Sequence, residues 1–133
     1  PTSPQLAQRR GLAVAELAIC LPVIVLVLFA SLQACNLIYL KHATVSAAYE
    51  GALELSKSNA SNSSVESRVQ QVLAAQSVTG ATVTIEPVGV NIAQAPAGSP
   101  ITIIVDAPTA GNISLTSFFP SPQNLETRLV ATR

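Results

Sequence analysis

The pattern of apolar and polar positions divides the chain into one long apolar run and a mostly polar remainder. From residue 11 to residue 40 the sequence reads GLAVAELAICLPVIVLVLFASLQACNLIYL, in which Glu16 is the only charged side chain. A helix of about thirty residues is about 45 Å long, whereas the hydrocarbon core of a bilayer is ~30 Å thick. The run therefore predicts a helix that is surrounded by lipid or by partner helices.

The helical pattern continues beyond the apolar run. Residues 41–57 contain no proline, and their spacing predicts one apolar stripe made of Val45, Ala48, Tyr49, Ala52 and Leu53. We therefore expect a single helix over residues 12–57. Pro22 removes one backbone hydrogen bond within it and predicts a kink near Ala18.

The polar remainder predicts a small α+β head. The Ser/Asn-rich residues 56–64 end the long helix, and Ser63 with Glu66 predicts a capping box for a second helix over residues 64–78, closed by Thr79 and Gly80. One face of this helix carries Val65, Val69, Val72 and Leu73.

Three segments with strand periodicity follow, at residues 82–88, 101–107 and 125–133. Their connections are rich in proline and glycine, which favours an antiparallel meander of three strands over crossover helices. The inward faces are expected to be Val83 with Ile85, Ile101 with Ile103 and Val105, and Leu125 with Leu129. The expected organisation is a leader-like basic segment (1–11), a long helix (12–57) whose first half spans a membrane, and a head (58–133).

Composition excludes several classes of function. Seven Lys plus Arg balance seven Asp plus Glu, so there is no basic field for nucleic acid. The lone His42 has no cysteine or carboxylate at ligand or triad spacing, and no nucleotide-binding glycine pattern occurs. Cys20 and Cys35 would lie ~22 Å apart on one helix, too far for a disulfide. We expect no enzyme activity, cofactor, metal or small-molecule substrate.

The start of the apolar run carries a recognisable motif. Arg9-Arg10-Gly11-Leu12 is followed by Glu16, five positions after the glycine. This resembles the processing site of type IV prepilins, and the resemblance implies cleavage between Gly11 and Leu12, with Glu16 at the fifth mature position. A carboxylate at mid-membrane costs about 2.5 to 3.5 kcal/mol on insertion scales, so Glu16 should be paired or near an interface.

The wider pattern is similar to the TadE family of pilin-like proteins. The matching positions are Arg9, Arg10, Gly11, Glu16, Leu21, Pro22, Tyr39, Ala47, Ala48, Glu50, Gly51 and Ala52. The late FFP and LETRLVATR segments also resemble the closing loop and strand of that family, whereas Leu17 replaces its usual phenylalanine.

The resemblance implies a structural subunit of a Tad or type IV-like pilus. Its expected partners are further copies in a helical filament, other pilins, the pilus assembly machinery and, before assembly, membrane lipid. The basic pair Arg9 and Arg10 favours a cytoplasmic N-terminus in the inner membrane. After assembly the protein would be at the cell surface. In the filament the Glu16 carboxylate would set the subunit register by pairing with the new N-terminal amine. In an uncleaved chain it would pair with Arg9 or Arg10 of a neighbouring subunit. Alternatively, the Glu16 side chain only reaches the lipid headgroups and has no role in register.

Rows of small residues favour close helix packing, with Ala30 and Ala34 in the run and Ala43, Ala47 and Gly51 after it. The second row could equally receive the protein's own sheet or second helix.

Several alternatives remain open. The chain could be a single-span membrane adaptor or a minor pilus-assembly protein whose head binds a partner. Residues 32–35, LQAC, match a lipobox, which would make Cys35 a lipidated N-terminus. Asn59, Asn62 and Asn112 match N-x-S acceptors for glycans. Glu86, Asp106 and Arg128 fall on three strands and could form a charge cluster across the sheet.

Overall fold

The computed structural model describes residues 4–113 and 123–133, with side chains from residue 12 onward. A long helix, α1 (Pro4–Leu55), is followed by a short helix, α2 (Asn62–Ala75), and by the strands β1 (Thr82–Glu86), β2 (Pro100–Pro108) and β3 (Asn124–Thr132). A short 3₁₀ helix (Ile92–Gln94) lies between β1 and β2. The predicted α+β class and three-stranded antiparallel sheet are confirmed, while the FFP segment lies outside the described residues.

Helix α1 has 52 residues and begins earlier than the sequence predicted. Residues 4–10, PQLAQRR, suit a helix start because proline tolerates the first turn and Gln, Leu, Ala and Arg are good helix formers. At its other end α1 stops at Leu55, two residues before the predicted end and just before the Ser/Asn-rich segment. It continues through Pro22 as one helix, and the bend at that position stays a prediction.

The sheet is a meander with the order β1-β2-β3. Val83 pairs with Val105, Ile85 with Ile103, and Ile103 in turn with Leu129. This register places the three predicted apolar rows on one face, where the β2 residues Ile101, Ile103 and Val105 are at most 2% exposed. Strand β1 ends at Glu86 because Pro87 has no N–H for the ladder.

The second half of α1 packs on this inner face, but not through the stripe that its sequence predicted. Ala48 is buried, whereas Val45, Tyr49 and Leu53 are 42%, 56% and 47% exposed. The buried positions are Leu40, Ala43, Thr44, Ala47, Ala48, Gly51 and Leu55. Between Leu40 and Leu55 the buried side chains of this face are small, which lets the sheet and α2 approach the helix backbone closely.

Helix α2 begins two residues before its predicted start, and its cap differs. Ser61 is the N-cap: its hydroxyl accepts from the Ser64 N–H at 3.2 Å, and the Ser64 hydroxyl accepts from the Ser61 N–H at 3.0 Å. The predicted box of Ser63 and Glu66 is therefore wrong. Asn62 explains the choice, since its side chain accepts from the Ile92 N–H at 2.8 Å and donates to the Val90 carbonyl at 2.9 Å.

The end of α2 also differs from the prediction. The helix closes at Gln76, and Ser77 takes a positive φ of 58°, so Thr79 and Gly80 lie beyond it. Its buried face was predicted correctly: Val65, Val69 and Leu73 are at most 1% exposed, and Val72 is partly buried against the core.

Candidate functional site

The first half of α1, which we call the rod, is apolar and, among the residues that the structure describes, exposed from Leu12 to Leu28. From Leu12 to Leu28 every large apolar side chain is at least 37% exposed, and Ile19 reaches 74%. The segment Leu12–Leu55 is long and apolar enough to cross a membrane, and its most apolar 18-residue window is 0% buried. Burying one such side chain stabilises by about 1.5 to 3 kcal/mol, so the rod favours lipid or other helices over water.

The exposed apolar surface does not end where the head begins. Ile38, Val45, Tyr49 and Leu53 lie on the side of α1 that faces away from the sheet, and each is at least 42% exposed. We call these four residues the back ridge. Because they recur at helical spacing, they extend the apolar surface of the rod along the head.

Glu16 lies on the rod among exposed apolar side chains and is itself exposed. Gly11 lies within α1, and the side chains of Arg9 and Arg10 lie outside the described residues. Processing between Gly11 and Leu12, and the register role of Glu16, stay predictions. The LQAC segment lies inside the uninterrupted helix, with Cys35 exposed.

The second row of small residues receives the head. Ala43 and Ala47 are 0% exposed, and a Cβ on Gly51 would lie 2.6 Å from Val69 Cγ2 and 3.3 Å from Ile103 Cδ1. Of the two alternatives for this row, packing within the subunit is the one that the structure contains. Ala30 and Ala34 are exposed on the rod, and their packing between subunits stays a prediction.

A polar junction that the sequence did not predict fastens α1 to β3. Lys41 Nζ donates to the Glu126 carbonyl at 2.8 Å and to Thr127 Oγ1 at 2.9 Å. The hydroxyls of Thr127 and Thr44 are 2.8 Å apart, and Thr44 donates to the Lys41 carbonyl at 2.9 Å. The available signal was Thr127, a polar residue between Leu125 and Leu129 on the inward face of a strand.

Two further contacts hold α2 against α1. Glu50 Oε2 accepts from Arg68 Nη2 at 2.7 Å, and Tyr39 Oη donates to the Gln76 carbonyl at 3.2 Å. Tyr39, Glu50 and Gly51 all belong to the motif that resembled TadE proteins. In this chain they attach the head to the rod.

The predicted charge cluster on the outer face is not formed as expected. Arg128 pairs with Glu126 on its own strand. This hydrogen bond, and then the charge of Glu126, raise the pKa of Arg128 above its ordinary value, and the more distant Glu86 acts in the same direction. Asp106 instead accepts a hydrogen bond from Asn124 Nδ2 at 3.0 Å. This pair on β3 is solvent-exposed and contributes little to stability.

The three N-x-S asparagines differ in their surroundings. Asn112 Nδ2 donates to the carbonyls of Thr79 and Pro108 at 2.8 and 2.7 Å, and Asn62 Nδ2 is bonded to Val90. A glycan on either amide would displace these bonds, whereas Asn59 is exposed. Glycosylation stays a prediction, and Asn59 is its best candidate. Within the described ranges no group of three His, Cys, Asp or Glu could hold a metal, and His42 is exposed.

In the part of the chain that the structure describes, one exposed apolar helix, long enough to span a membrane, carries a small α+β head. The family model described as TadE-like protein matches residues 11–53, which confirms the resemblance over α1. The match covers about a third of the chain and suggests an association with a Tad pilus. No curated protein and no solved structure matches the chain.

Proposed function

We propose that this chain is a structural subunit of a Tad-type pilus. Before assembly α1 anchors it in the inner membrane with its N-terminus inside. The pilus assembly machinery then transfers it into a helical filament at the cell surface, where α1 packs against α1 of further copies or of other pilins. The observation that carries this proposal is the apolar surface of α1, which is exposed along the rod and continues over the back ridge.

The back ridge favours a filament subunit over a single-span adaptor. An adaptor needs an apolar helix only across the bilayer, whereas Val45, Tyr49 and Leu53 are exposed alongside the head. At ~1.5 Å per residue, Leu53 lies about 60 Å along the helix from Leu12, well beyond the ~30 Å hydrocarbon core. Lipid therefore cannot cover this part of the ridge, and a neighbouring subunit can.

Glu16 is the residue we assign to subunit register. In a filament core without water, an unpaired carboxylate is costly, so one axial position that pairs Glu16 with a cation is favoured over neighbouring ones. The cation is the amine of Leu12 if the leader is removed after Gly11. In an uncleaved chain it is Arg9 or Arg10 of a neighbouring copy.

The proposal is tested by isolating sheared surface fibres and membranes and sequencing the N-terminus of the chain in each. Fibres in which the chain starts at Leu12 support a processed pilin, and fibres in which the chain still contains Arg9, Arg10 and Gly11 support an uncleaved subunit. A chain that occurs only in the membrane fraction supports the adaptor, and a start at Cys35 supports lipidation.

A matched pair of variants tests the packing surface. Tyr49→Lys places a charge on the back ridge and should abolish fibres while leaving membrane insertion and head folding intact. Val130→Lys places the same charge at an exposed apolar position of β3, away from the back ridge, and should leave fibres unchanged. Normal fibres from the Tyr49→Lys protein would contradict packing through this face.

A further inference from the structure

The charged side chains from Leu40 onward fall into two groups, those that are paired within the subunit and those that are not. In the described ranges the ion pairs are Lys57 with Glu54, Arg68 with Glu50 and Arg128 with Glu126. The charged residues outside these pairs are the cations Lys41 and Arg133 and the carboxylates Glu66, Glu86 and Asp106. The positions of the second group decide which surfaces of the head can attract a partner by charge.

Lys41 places a positive charge on the side of the head that β3 forms. The sheet has the order β1-β2-β3, so β3 is an edge strand. Lys41 Nζ donates to the Glu126 carbonyl and to Thr127 Oγ1, which are both uncharged, and it forms no ion pair with a described residue. Lys41 is exposed, and its ammonium group has a third proton. We call this edge of the head, at the level of Lys41, the basic flank.

Glu66 places a negative charge on the opposite side, where α2 lies beside the other edge strand, β1. Two bonds identify the side of α2 that faces β1. Asn62 donates to the Val90 carbonyl just after the strand, and Gln70 donates to the Ala81 carbonyl just before it, at 2.9 and 3.2 Å. Glu66 is one helical turn from both residues, so it lies on the same side of α2. It is exposed and has no hydrogen bond or ion pair with another described residue.

Glu86 adds a second carboxylate to this side, because it is the last residue of β1. It forms no ion pair with a described residue and acts on Arg128 only at a distance. We call the surface that carries Glu66 and Glu86 the acidic flank. The two edges of the head therefore carry unpaired charges of opposite sign.

The two flanks lie at different heights along α1. The bond from Tyr39 to the turn after α2, and the ion pair of Glu50 with Arg68, show that the two helices run in opposite directions. Lys41 and Glu50 are nine residues apart on α1, which is about 14 Å. Glu66 lies further in the same direction, because it precedes Arg68 on α2. Lys41 and Glu66 of one subunit therefore cannot meet.

A second copy of the chain fits this arrangement of charges. When that copy is raised along α1 by about 14 Å or more, its Lys41 comes level with Glu66 of the first copy. A contact between two different flanks leaves one basic and one acidic flank at the ends, so it can repeat. Because each step includes a shift along the axis, the repeat generates an open helix rather than a closed ring.

We propose that neighbouring heads in the filament meet flank to flank, with Lys41 of one copy facing Glu66 and Glu86 of the next. The inference rests on the proposed function, because it needs the assembled filament. Exposed ion pairs add little affinity, whereas complementary charges orient a partner. The rod and the back ridge therefore hold the copies together, and the flanks decide the order and orientation of the heads.

The test treats sheared surface fibres of the full chain with a carbodiimide, which joins an amine directly to a carboxylate, and identifies the joined peptides by mass spectrometry. The chain has two lysines, Lys41 and Lys57. Lys57 with Glu54 is the internal control, because this ion pair lies within one subunit. The same reaction on the chain dispersed in detergent shows which links require assembly.

In fibres we expect Lys41 to be joined to Glu66 or Glu86, and we expect neither link in the dispersed chain. If Lys41 is joined only to other carboxylates, or to none while the Lys57 control link forms, the flank contact is overturned and the filament stands. An equal link in the dispersed chain would also overturn it, because the two side chains would then meet within one subunit. A chain that is absent from fibres would overturn the proposed function and this inference with it.

Matched variants add a measurement of assembly. Glu66→Gln combined with Glu86→Gln removes the charge of the acidic flank and should lower the yield of fibres several-fold. Glu126→Gln makes the same chemical change on β3, where Lys41 uses the main-chain carbonyl of this residue, and should not lower the yield. Equal yields from the double variant and the Glu126→Gln control would contradict a role of the acidic flank in assembly.

Discussion

The close packing of α1 against α2 at Gly51 gives a quantitative prediction. In Gly51→Ala the new Cβ would lie 2.6 Å from Val69 Cγ2, a distance that real Cβ contacts do not show. Val69 is 0% exposed and β-branched, so its methyl group cannot move aside by a simple rotation. The helices must separate or the side chain must leave its rotamer.

Two opposing terms set the size of the effect. Alanine is favoured over glycine by about 1 kcal/mol inside a helix. Overpacking a core by one carbon costs about 1 to 3 kcal/mol. We therefore expect Gly51→Ala to destabilise the head by roughly 0 to 2 kcal/mol. At the exposed position Ser46 of the same helix, Ser46→Ala should stabilise slightly, because only helix propensity changes.

A double-mutant cycle isolates the steric term from helix propensity. Val69→Ala alone deletes two buried methyl groups and should cost about 2 kcal/mol, since each buried CH₂ contributes about 0.8 kcal/mol and a cavity remains. In the double variant the methyl group introduced by Gly51→Ala occupies space that Val69 Cγ2 has vacated. The combined loss should be smaller than the sum of the two single losses by about 1 kcal/mol or more.

The free energy of unfolding of the head can be measured on the full chain in mild detergent, by urea titration with pulse proteolysis. If the two single losses add to within about 0.5 kcal/mol, the two positions do not interact, and the close packing of α1 on α2 would be refuted.

Three further predictions use the same unfolding assay. Ser61→Ala removes the N-cap of α2 and should cost about 1 kcal/mol, whereas Ser63→Ala should cost clearly less; equal losses would contradict the observed cap. Thr127→Val keeps the side-chain shape but removes the buried hydroxyl that links β3 to α1, so we expect a loss of about 1 kcal/mol, and an unchanged stability would show that this link contributes nothing. Asn112→Ala leaves three main-chain groups without their partner and should cost about 1 to 3 kcal/mol, with the exposed Asn59→Ala as a control that stays near zero.

The strands were predictable because their signal is local. Alternation of Ile101, Ile103 and Val105, and of Leu125 with Leu129, already assigns an inward face, and the connecting proline and glycine residues favour a meander. The rod was predictable for a similar reason, because its apolarity is continuous over residues 11–40.

The wrong predictions concern segments whose local sequence allows several structures, because a contact with a residue far away in sequence determines which one forms. Residues 61–64 offer several possible caps, and the hydrogen bonds of Asn62 to residues 90 and 92 select Ser61. On α1 the apolar pattern indicated Val45, Tyr49 and Leu53, but the head needs a close approach and takes the smaller side chains. The Lys41 junction depends on β3, more than 80 residues away in sequence, and no local pattern encodes it.

Helix α1 runs without interruption from the rod into the head, so a shift of the rod along its axis is linked to a rotation of the head about that axis. Each residue of a helix advances about 1.5 Å and turns about 100°. Because Leu40, Ala47 and Gly51 are fixed beneath the sheet, the head cannot swivel about the rod. If two neighbouring rods slip by one residue and keep equivalent side chains in contact, each head must swing by about 100° around the shaft. In the proposed filament, the packing of the helices at the axis would therefore set the direction in which each head points, and an error of register would be visible as a head that points in a different direction.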